Sequence, residues 1–393
     1  MASIARKNLL EDIPRFLVAQ IGILFAVSLV TIQTGMQAGF TRSTSKLIDE
    51  SPADIWVSSP SMEHLGLTLP IPYDRLSQVR RVAGVDRAEA ATIRLTVWRR
   101  VRVNQVTSIT LIGGEPNGLL LPSSKITQGS FSDLRQPYAI VADSASLKTI
   151  QIQQLGDTEA IGSLPAKLVG LAKGTQSIVF DNIIFTSLES ANAYATSSLT
   201  ATPIASPPAP KALTPTDPVS FVLVQAQPGE DLASLKQRLE STVPGIRAYT
   251  RAEMSSRTQT YWQERSGIGF ILGMGAVVGI IVGVVIVGQI LYASVSDHIK
   301  EFGTLKAMGA SDWFIYSVIV EQALWMAILG YVPGMGMCLG VAAWTAATQG
   351  ITILITPVSA IVVLGTTVLM CVSSAFFAIQ KVTRVDPAIV FKA

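Results

Sequence analysis

From Phe16 to Met36 the chain runs FLVAQIGILFAVSLVTIQTGM, 21 residues without one charged side chain. At about 1.5 Å of rise per residue, such a stretch wound as a helix crosses a hydrocarbon core of about 30 Å. A cleaved secretory signal is the rival reading. The apolar stretch is too long for one, Glu11 and Asp12 mix with the basic residues before it, and no small-residue cleavage site follows, so the segment is expected to be retained. Residues 268–292, IGFILGMGAVVGIIVGVVIVGQILY, form a second uncharged run. After Asp312 the only charge before Lys381 is Glu321, and a break from Gln349-Gly350 through Pro357 divides that stretch in two. Four transmembrane helices follow, at 16–40, 266–293, 315–347 and 358–380.

The short loops set the expected orientation, because lysine and arginine are held on the cytoplasmic side. Arg6, Lys7 and Arg15 precede the first span, Lys300 and Lys306 lie between the second and third, and Lys381, Arg384 and Lys392 follow the fourth. The connection between spans three and four carries no charge. Residues 1–15, 294–314 and 381–393 are therefore expected in the cytoplasm, the first of them as an amphipathic segment, with residues 41–265 on the far side. Composition narrows the function. Net charge is +3 with two histidines, which favours neither nucleic-acid binding nor a histidine metal centre. Cys338 and Cys371 both fall in apolar runs, so the polar middle of the chain does not depend on disulfides.

The 41–265 segment is long enough to bury its own core and reads as mixed α/β. ADIWVSS alternates as a strand, IPYDRLSQVRRV has helical spacing, and VDRAEAATIRLTVWRRVRV followed by TSITLIGGEP suggests a hairpin. VSFVLVQA, GEDLASLKQRLESTV and GIRAYT repeat a strand, helix, strand pattern, and residues 251–265 continue as a helical stalk. YAIVADSASLKTI and SIVFDNIIFTS supply further strands between these halves. The proline-rich stretch 206–218 has too little apolar content to pack. Arg94, Trp98, Arg100 and Arg102 share one parity of the hairpin, which makes a basic, aromatic stripe: a docking surface, or an ordinary solvated sheet face.

The segment between spans two and three, SVSDHIKEFGTLKAMGASDWF, is too ordered for a loop. Ile299, Phe302, Leu305 and Met308 recur every three residues beside Lys300, Glu301 and Lys306, and Gly309-Ala310 then Ser311-Asp312 close one helix and restart another. On physics alone this amphipathic helix fits a lipid surface as well as a protein partner. The run KEFGTLKAMGAS resembles the MacB and FtsX-like permeases, in which a segment R-E-x-G-x-L-K-A-x-G-A is the coupling helix that contacts the ATPase subunit. Lys300 stands where that family usually has arginine. Glu301, Gly303, Leu305, Lys306, Ala307, Gly309 and Ala310 match, and Arg384-Val385-Asp386-Pro387 resembles the closing R-x-D-P. More narrowly, the opening stretch 9–44 and ADIWV look like the DevC-type permeases of cyanobacteria, associated with export of heterocyst envelope glycolipids.

The resemblance implies an inner-membrane permease subunit of an ABC exporter, with a porter-like, MacB-type domain inserted between helices 1 and 2. It also implies two copies on paired ABC ATPase subunits, a periplasmic membrane-fusion adaptor and an outer-membrane TolC-like channel. ATP and Mg would sit on the partner ATPase and no cofactor on this chain. That fits its lack of any Gly-Lys dipeptide, which a phosphate-binding P-loop needs. Lipoprotein-releasing or cell-wall-hydrolase-regulating permeases share the plan, and a membrane-anchored sensor is the alternative from another class. An enzyme is disfavoured, since 41–265 holds one histidine, His64, and no nucleophile elbow. Gly275, Gly279 and Gly283, with Gly330, Gly334, Gly336 and Gly340, allow close helix approach, within one protomer or across a dimer seam. Glu321, inside a span, is a structural group near the headgroups, paired with Lys306 or solvent, or a pathway residue. Pro333 is a hinge or a packing kink.

Overall fold

The computed structural model describes residues 13–100, 105–116, 118–120, 125–152, 154–177, 179–180, 182–198, 204, 206–348 and 353–383. Arg102 and the R-x-D-P tail at 384–387 lie outside the described residues, as does most of the 1–15 segment. The chain divides into two compact units, Met1–Phe40 with Ser266–Ala393, and Thr41–Arg265.

The first unit is helical. Among the described residues four helices are long and apolar enough to cross a membrane, at Phe16–Glu50, Ile268–Asp297, Asp312–Ala346 and Pro357–Gln380. They belong to α1 (Ile13–Glu50), α7 (Ile268–Asp297), α9 (Asp312–Thr348) and α10 (Pro357–Thr383), and a short helix, α8 (Ile299–Ala307), lies between α7 and α9. Pro357 opens α10, where a missing amide costs nothing. Thr356 and Ser359 cap it reciprocally: the Ser359 amide donates to Thr356 Oγ1 at 3.1 Å and the Thr356 amide to Ser359 Oγ at 2.8 Å. Helix α9 runs on through Pro333. Ala19, Ile23 and Val27 of α1, Val287 and Leu291 of α7, Ile319 and Met326 of α9, and Val363 and Met370 of α10 share one buried cluster. Phe270, Leu369, Val358 and Trp344 point outward, as a lipid-facing surface requires. A few polar bonds cross between helices, among them Tyr331 to the Ala360 carbonyl at 2.9 Å and Ser374 to the Val284 carbonyl at 3.0 Å.

The second unit is mixed α/β. Its elements are β1 (Ile55–Ser58), β2 (Ile71–Pro72), α2 (Asp74–Val79), β3 (Val85–Arg100), β4 (Gln105–Gly114), β5 (Ile126–Gln128), β6 (Ala139–Asp143), α3 (Leu147–Ile150), β7 (Thr158–Ile161), β8 (Leu164–Ala172), β9 (Ile183–Ser187), α4 (Leu188–Thr196), β10 (Pro218–Val219), β11 (Phe221–Ala226), α5 (Leu232–Thr242), β12 (Arg247–Thr250) and α6 (Arg251–Arg265). The main sheet runs β12-β1-β11-β3-β4-β9-β6-β8-β5, with β7 against β3 and β8. Strand β3 belongs to two halves: residues from Val85 to Ala91 pair with β11, and Thr92 to Arg100 pair with β4. The ADIWV strand is buried on both faces, with Ile55 and Val57 in one cluster and Trp56 in another, edge-on to Phe221 at 5.5 Å.

Two expectations need correction. Trp98 is not part of an exposed stripe. Strand β7 pairs with its end of β3, and its ring is fully buried with the indole N–H donating to the Ile150 carbonyl at 3.1 Å. The opposite parity carries the exposed apolar residue, Leu95 at 73%. The proline-rich 206–218 stretch is also pinned. The Tyr138 hydroxyl donates to the Pro208 carbonyl at 2.8 Å, the Asp74 amide to the Pro215 carbonyl at 2.9 Å, and Leu213 packs on the core, because an extended proline segment still offers every carbonyl as an acceptor. Strands β7 and β8 were not anticipated, although LPAKLVGLA buries alternate residues from Leu164 to Ala172.

Replacing Trp98 with alanine removes a filled volume and its hydrogen bond. A loss of about 3–5 kcal/mol is expected in chemical denaturation of the detergent-solubilised chain. Glu89 of β3 is buried, paired with Arg87 and accepting the Leu119 amide at 2.6 Å. Burial nevertheless pushes its carboxyl above the ordinary value of 4.5. A raised folded-state pKa adds stability that is complete below the ordinary value and is lost as pH rises through the raised one. The stability of the natural chain relative to Glu89→Gln should therefore fall as pH rises above 4.5; a difference independent of pH would refute the raised carboxyl.

Candidate functional site

The segment that joins α7 to α9 is built from backbone signals that the sequence carries. Helix α7 ends at His298, whose ring Nδ1 lies 2.9 Å from the Ser294 carbonyl. Helix α8 then closes on Gly309, whose φ of +93° is one that only glycine adopts without strain. The Gly309 amide donates to the Lys306 carbonyl at 3.0 Å and the Ala310 amide to the Leu305 carbonyl at 2.9 Å. This is the Schellman pairing, and it satisfies two carbonyls that the helix end would leave open. Ser311 restarts the chain as α9, accepting the Phe314 amide on its hydroxyl at 3.3 Å.

Between the two ends, Lys306 Nζ lies 2.8 Å from Asp312 Oδ1. The lysine sits in the last turn of α8 and the aspartate in the first turn of α9, so each also faces the favourable end of its own helix dipole. This pair was not anticipated: Glu321 does not take Lys306, and among the described residues it has no ion-pair or hydrogen-bond partner.

Of the apolar stripe, Phe302 and Leu305 face the bundle. Phe302 is buried in the transmembrane cluster with Val295 and Ile315, and Leu305 packs against it. Gly303 is buried as well. Met308 turns the other way, 72% exposed, with Trp313 at 79%. Lys300, Glu301 and Thr304 complete the exposed side, while Ala310 is half-buried and the Ala307 side chain lies outside the description. The segment is thus anchored by Phe302 and Leu305 and presents a mixed charged and apolar face through Lys300, Glu301, Thr304, Met308 and Trp313. Trp313 was missed because it falls one residue after the new helix starts, outside the three-residue repeat.

The α7 glycines lie against helices of their own unit. A Cβ on Gly275 would meet Gln33 at 2.5 Å, one on Gly279 would meet Leu29 at 3.1 Å, and one on Gly283 would meet Met370 Sδ at 2.2 Å and Ala26 at 2.9 Å. Gly330 and Gly334 approach Ile23 and Val27 in the same way, whereas Gly336 and Gly340 face open space. Among the described residues no group of three or more His, Cys, Asp and Glu side chains is placed to hold a metal. Gly283→Val should overpack the α1–α7–α10 contact and cost about 1–3 kcal/mol, seen as a lowered melting temperature in detergent. Gly309→Val forces a β-branched residue into positive φ, and a loss of about 1–3 kcal/mol is expected in the same measurement.

A family model described as MacB-like periplasmic core domain matches residues 16–242, and one described as FtsX-like permease C-terminal matches residues 273–387. The macrolide export ATP-binding/permease protein MacB 2 of Yersinia pestis bv. Antiqua is 25% identical over 304 residues, 72% of this chain and 42% of that protein. The chain thus spans less than half the length of that relative. An uncharacterized ABC transporter permease of Mycobacterium tuberculosis is 24% identical over 376 residues, covering 94% of this chain and 93% of its own. The crystal structure of the periplasmic region of MacB from Actinobacillus actinomycetemcomitans aligns with a TM-score of 0.38 at 12% identity, over 53% of this chain and 94% of that one.

Proposed function

Because the chain belongs to the permeases that join a MacB-like periplasmic core domain to an FtsX-like C-terminal half, we propose that it is the membrane subunit of an ATP-driven exporter whose motor is a separate ABC ATPase. The observation that carries this reading is the anchored α8 segment, with Lys300, Glu301, Thr304 and Met308 exposed on one side and Phe302 locked into the bundle on the other. A short rigid helix held in this way moves with the spans that hold it. In this reading ATP is hydrolysed, with its Mg, on the other subunit.

The coupling is mechanical in this reading. ATP-driven closure of the paired ATPases displaces α8, and α7 and α1 tilt with it. Helix α1 runs from Ile13 to Glu50, so its motion reaches residues 41–50 in this reading. At the other stalk, Arg251 opens α6 and is fastened to the two residues before β1, donating to Asp54 Oδ1 at 3.1 Å and to the Ala53 carbonyl at 2.9 Å. Four helices per protomer with one isolated carboxylate make poor walls for a hydrophilic channel, so the cargo is an amphiphile such as a glycolipid, taken up outside the membrane. It passes to a periplasmic adaptor and an outer-membrane channel. The permease acts as a homodimer whose seam includes Gly336 and Gly340, the two α9 glycines at which an added Cβ would meet nothing within 4 Å among the described residues.

Glu301→Arg combined with Met308→Asp changes only exposed groups. If this face binds the ATPase, each position should cost about 2 kcal/mol, or about 30-fold in affinity, measured by co-purification and titration in detergent. Unchanged ATPase binding would refute the coupling role. Gly340→Ile should convert the dimer to monomer in native mass spectrometry while leaving the melting temperature of the monomer unchanged.

A further inference from the structure

The loop between β1 and β2, residues 59–70, carries two leucines with no structural use. Leu67 is 51% exposed and Leu69 is 63% exposed, and Gly66 and Pro70 beside them are exposed too. Glu63 is the only acidic or basic residue of the loop besides His64. Burial lowers the pKa of His64, which favours its neutral form.

Four contacts fix this loop on the second half of α6. Arg257 donates to the Met62 carbonyl at 2.9 Å, and the Leu65 amide donates to Thr258 Oγ1 at 3.3 Å. The His64 ring lies 4.2 Å from that of Tyr261 and 5.3 Å from that of Trp262, centroid to centroid. The loop therefore advances along α6 toward its C-terminal end, Arg265, whose guanidinium lies 5.8 Å from the Tyr261 ring centre.

That end of the unit is tied by covalent geometry to the bilayer surface. Tyr261 is seven residues before Ile268, where α7 begins, so about 10 Å of helical rise, or about 25 Å of fully extended chain, separates them. The same level is marked on α1. Gln263 donates to Thr41 Oγ1 at 3.1 Å, Gln259 to Ser45 Oγ at 2.7 Å, and Ser177 to the Ser43 carbonyl at 2.8 Å. Thr41 is five residues after Met36, the end of the uncharged run, which is about 8 Å along the helix. Gly66, at the loop apex, is packed so closely on Phe180 that an added Cβ would sit 3.0 Å from its ring. Phe180 in turn follows Ser177 in the segment held on α1.

We propose that residues 66–70 form an interfacial anchor, in which Leu67 and Leu69 enter the outer leaflet of the bilayer and Tyr261 sits at the headgroup level. Aromatic side chains with a polar tip concentrate at that depth, and a neutral, leucine-bearing loop gains from leaving water there. The anchor holds the membrane-proximal end of the outside unit on the lipid surface from which an amphiphile would be drawn. It rests on the spans and not on the coupling role of α8, so its failure and that of the exporter reading are separable.

The test uses the full chain in nanodiscs of phosphatidylethanolamine and phosphatidylglycerol, with Cys338→Ala and Cys371→Ala to remove the two native thiols. A fluorophore is placed at Leu69→Cys, at Leu67→Cys, or at the exposed α5 position Gln237→Cys as a reference. Nitroxide-headgroup lipid should quench the Leu69 and Leu67 probes several-fold more than the Gln237 probe, and aqueous iodide should quench them less. Free access of iodide would place the loop in water and overturn the proposal. Protection from both quenchers would show a protein surface on the loop, a second copy or another partner, and would overturn it equally.

Discussion

Inside a bilayer no water is available to an amide, so each uncharged run of this chain has to satisfy its backbone within itself as a helix. Lipid also removes the usual reason for helices to associate, because a leucine gains nothing by exchanging lipid for protein. What remains is close packing. Gly283 admits Met370 and Ala26, Gly330 admits Ile23, and Gly22 lies where a Cβ would meet Ile286 at 2.5 Å. The α8 segment depends on the same packing, since Phe302 belongs to the cluster these helices bury.

Outside the membrane segments the constraints are the familiar ones of water-soluble folds. Strand β3 serves both halves of the sheet, which makes its middle, from Ala90 to Ile93, a place where little can change. Two buried carboxylates of the sheet, on β6 and on β3, accept backbone amides. Asp143 accepts the Thr175 amide at 2.7 Å and its hydroxyl at 2.9 Å, and Glu89 takes the Leu119 amide together with Arg87. A removed partner would leave a charge in a site that water cannot reach, which costs more than the bond itself contributed.

Much of this was legible along the chain, for reasons specific to each element. The β3–β4 hairpin showed in the alternation of VDRAEAATIRLTVWRR, and the end of α8 in the run Gly309-Ala310-Ser311, because a glycine with positive φ and a serine cap act on their own neighbours. Strand β8 left a readable signal, every second residue buried from Leu164 to Ala172. The pinning of the 206–218 stretch left none, since its bonds run through carbonyls that every sequence possesses.

The membrane spans and the α8 segment between them were determined by the sequence itself, because absence of charge over a helix length and the pairing of a closing glycine with a capping serine are local properties. The tertiary structure alone decided which side of each periodic element meets what. Trp98 is buried because β7 arrives from 60 residues further on, and Phe302 faces inward because Val295 and Ile315 close around it. Periodicity can say that one face differs from the other. Which of them is covered depends on segments that only folding brings together.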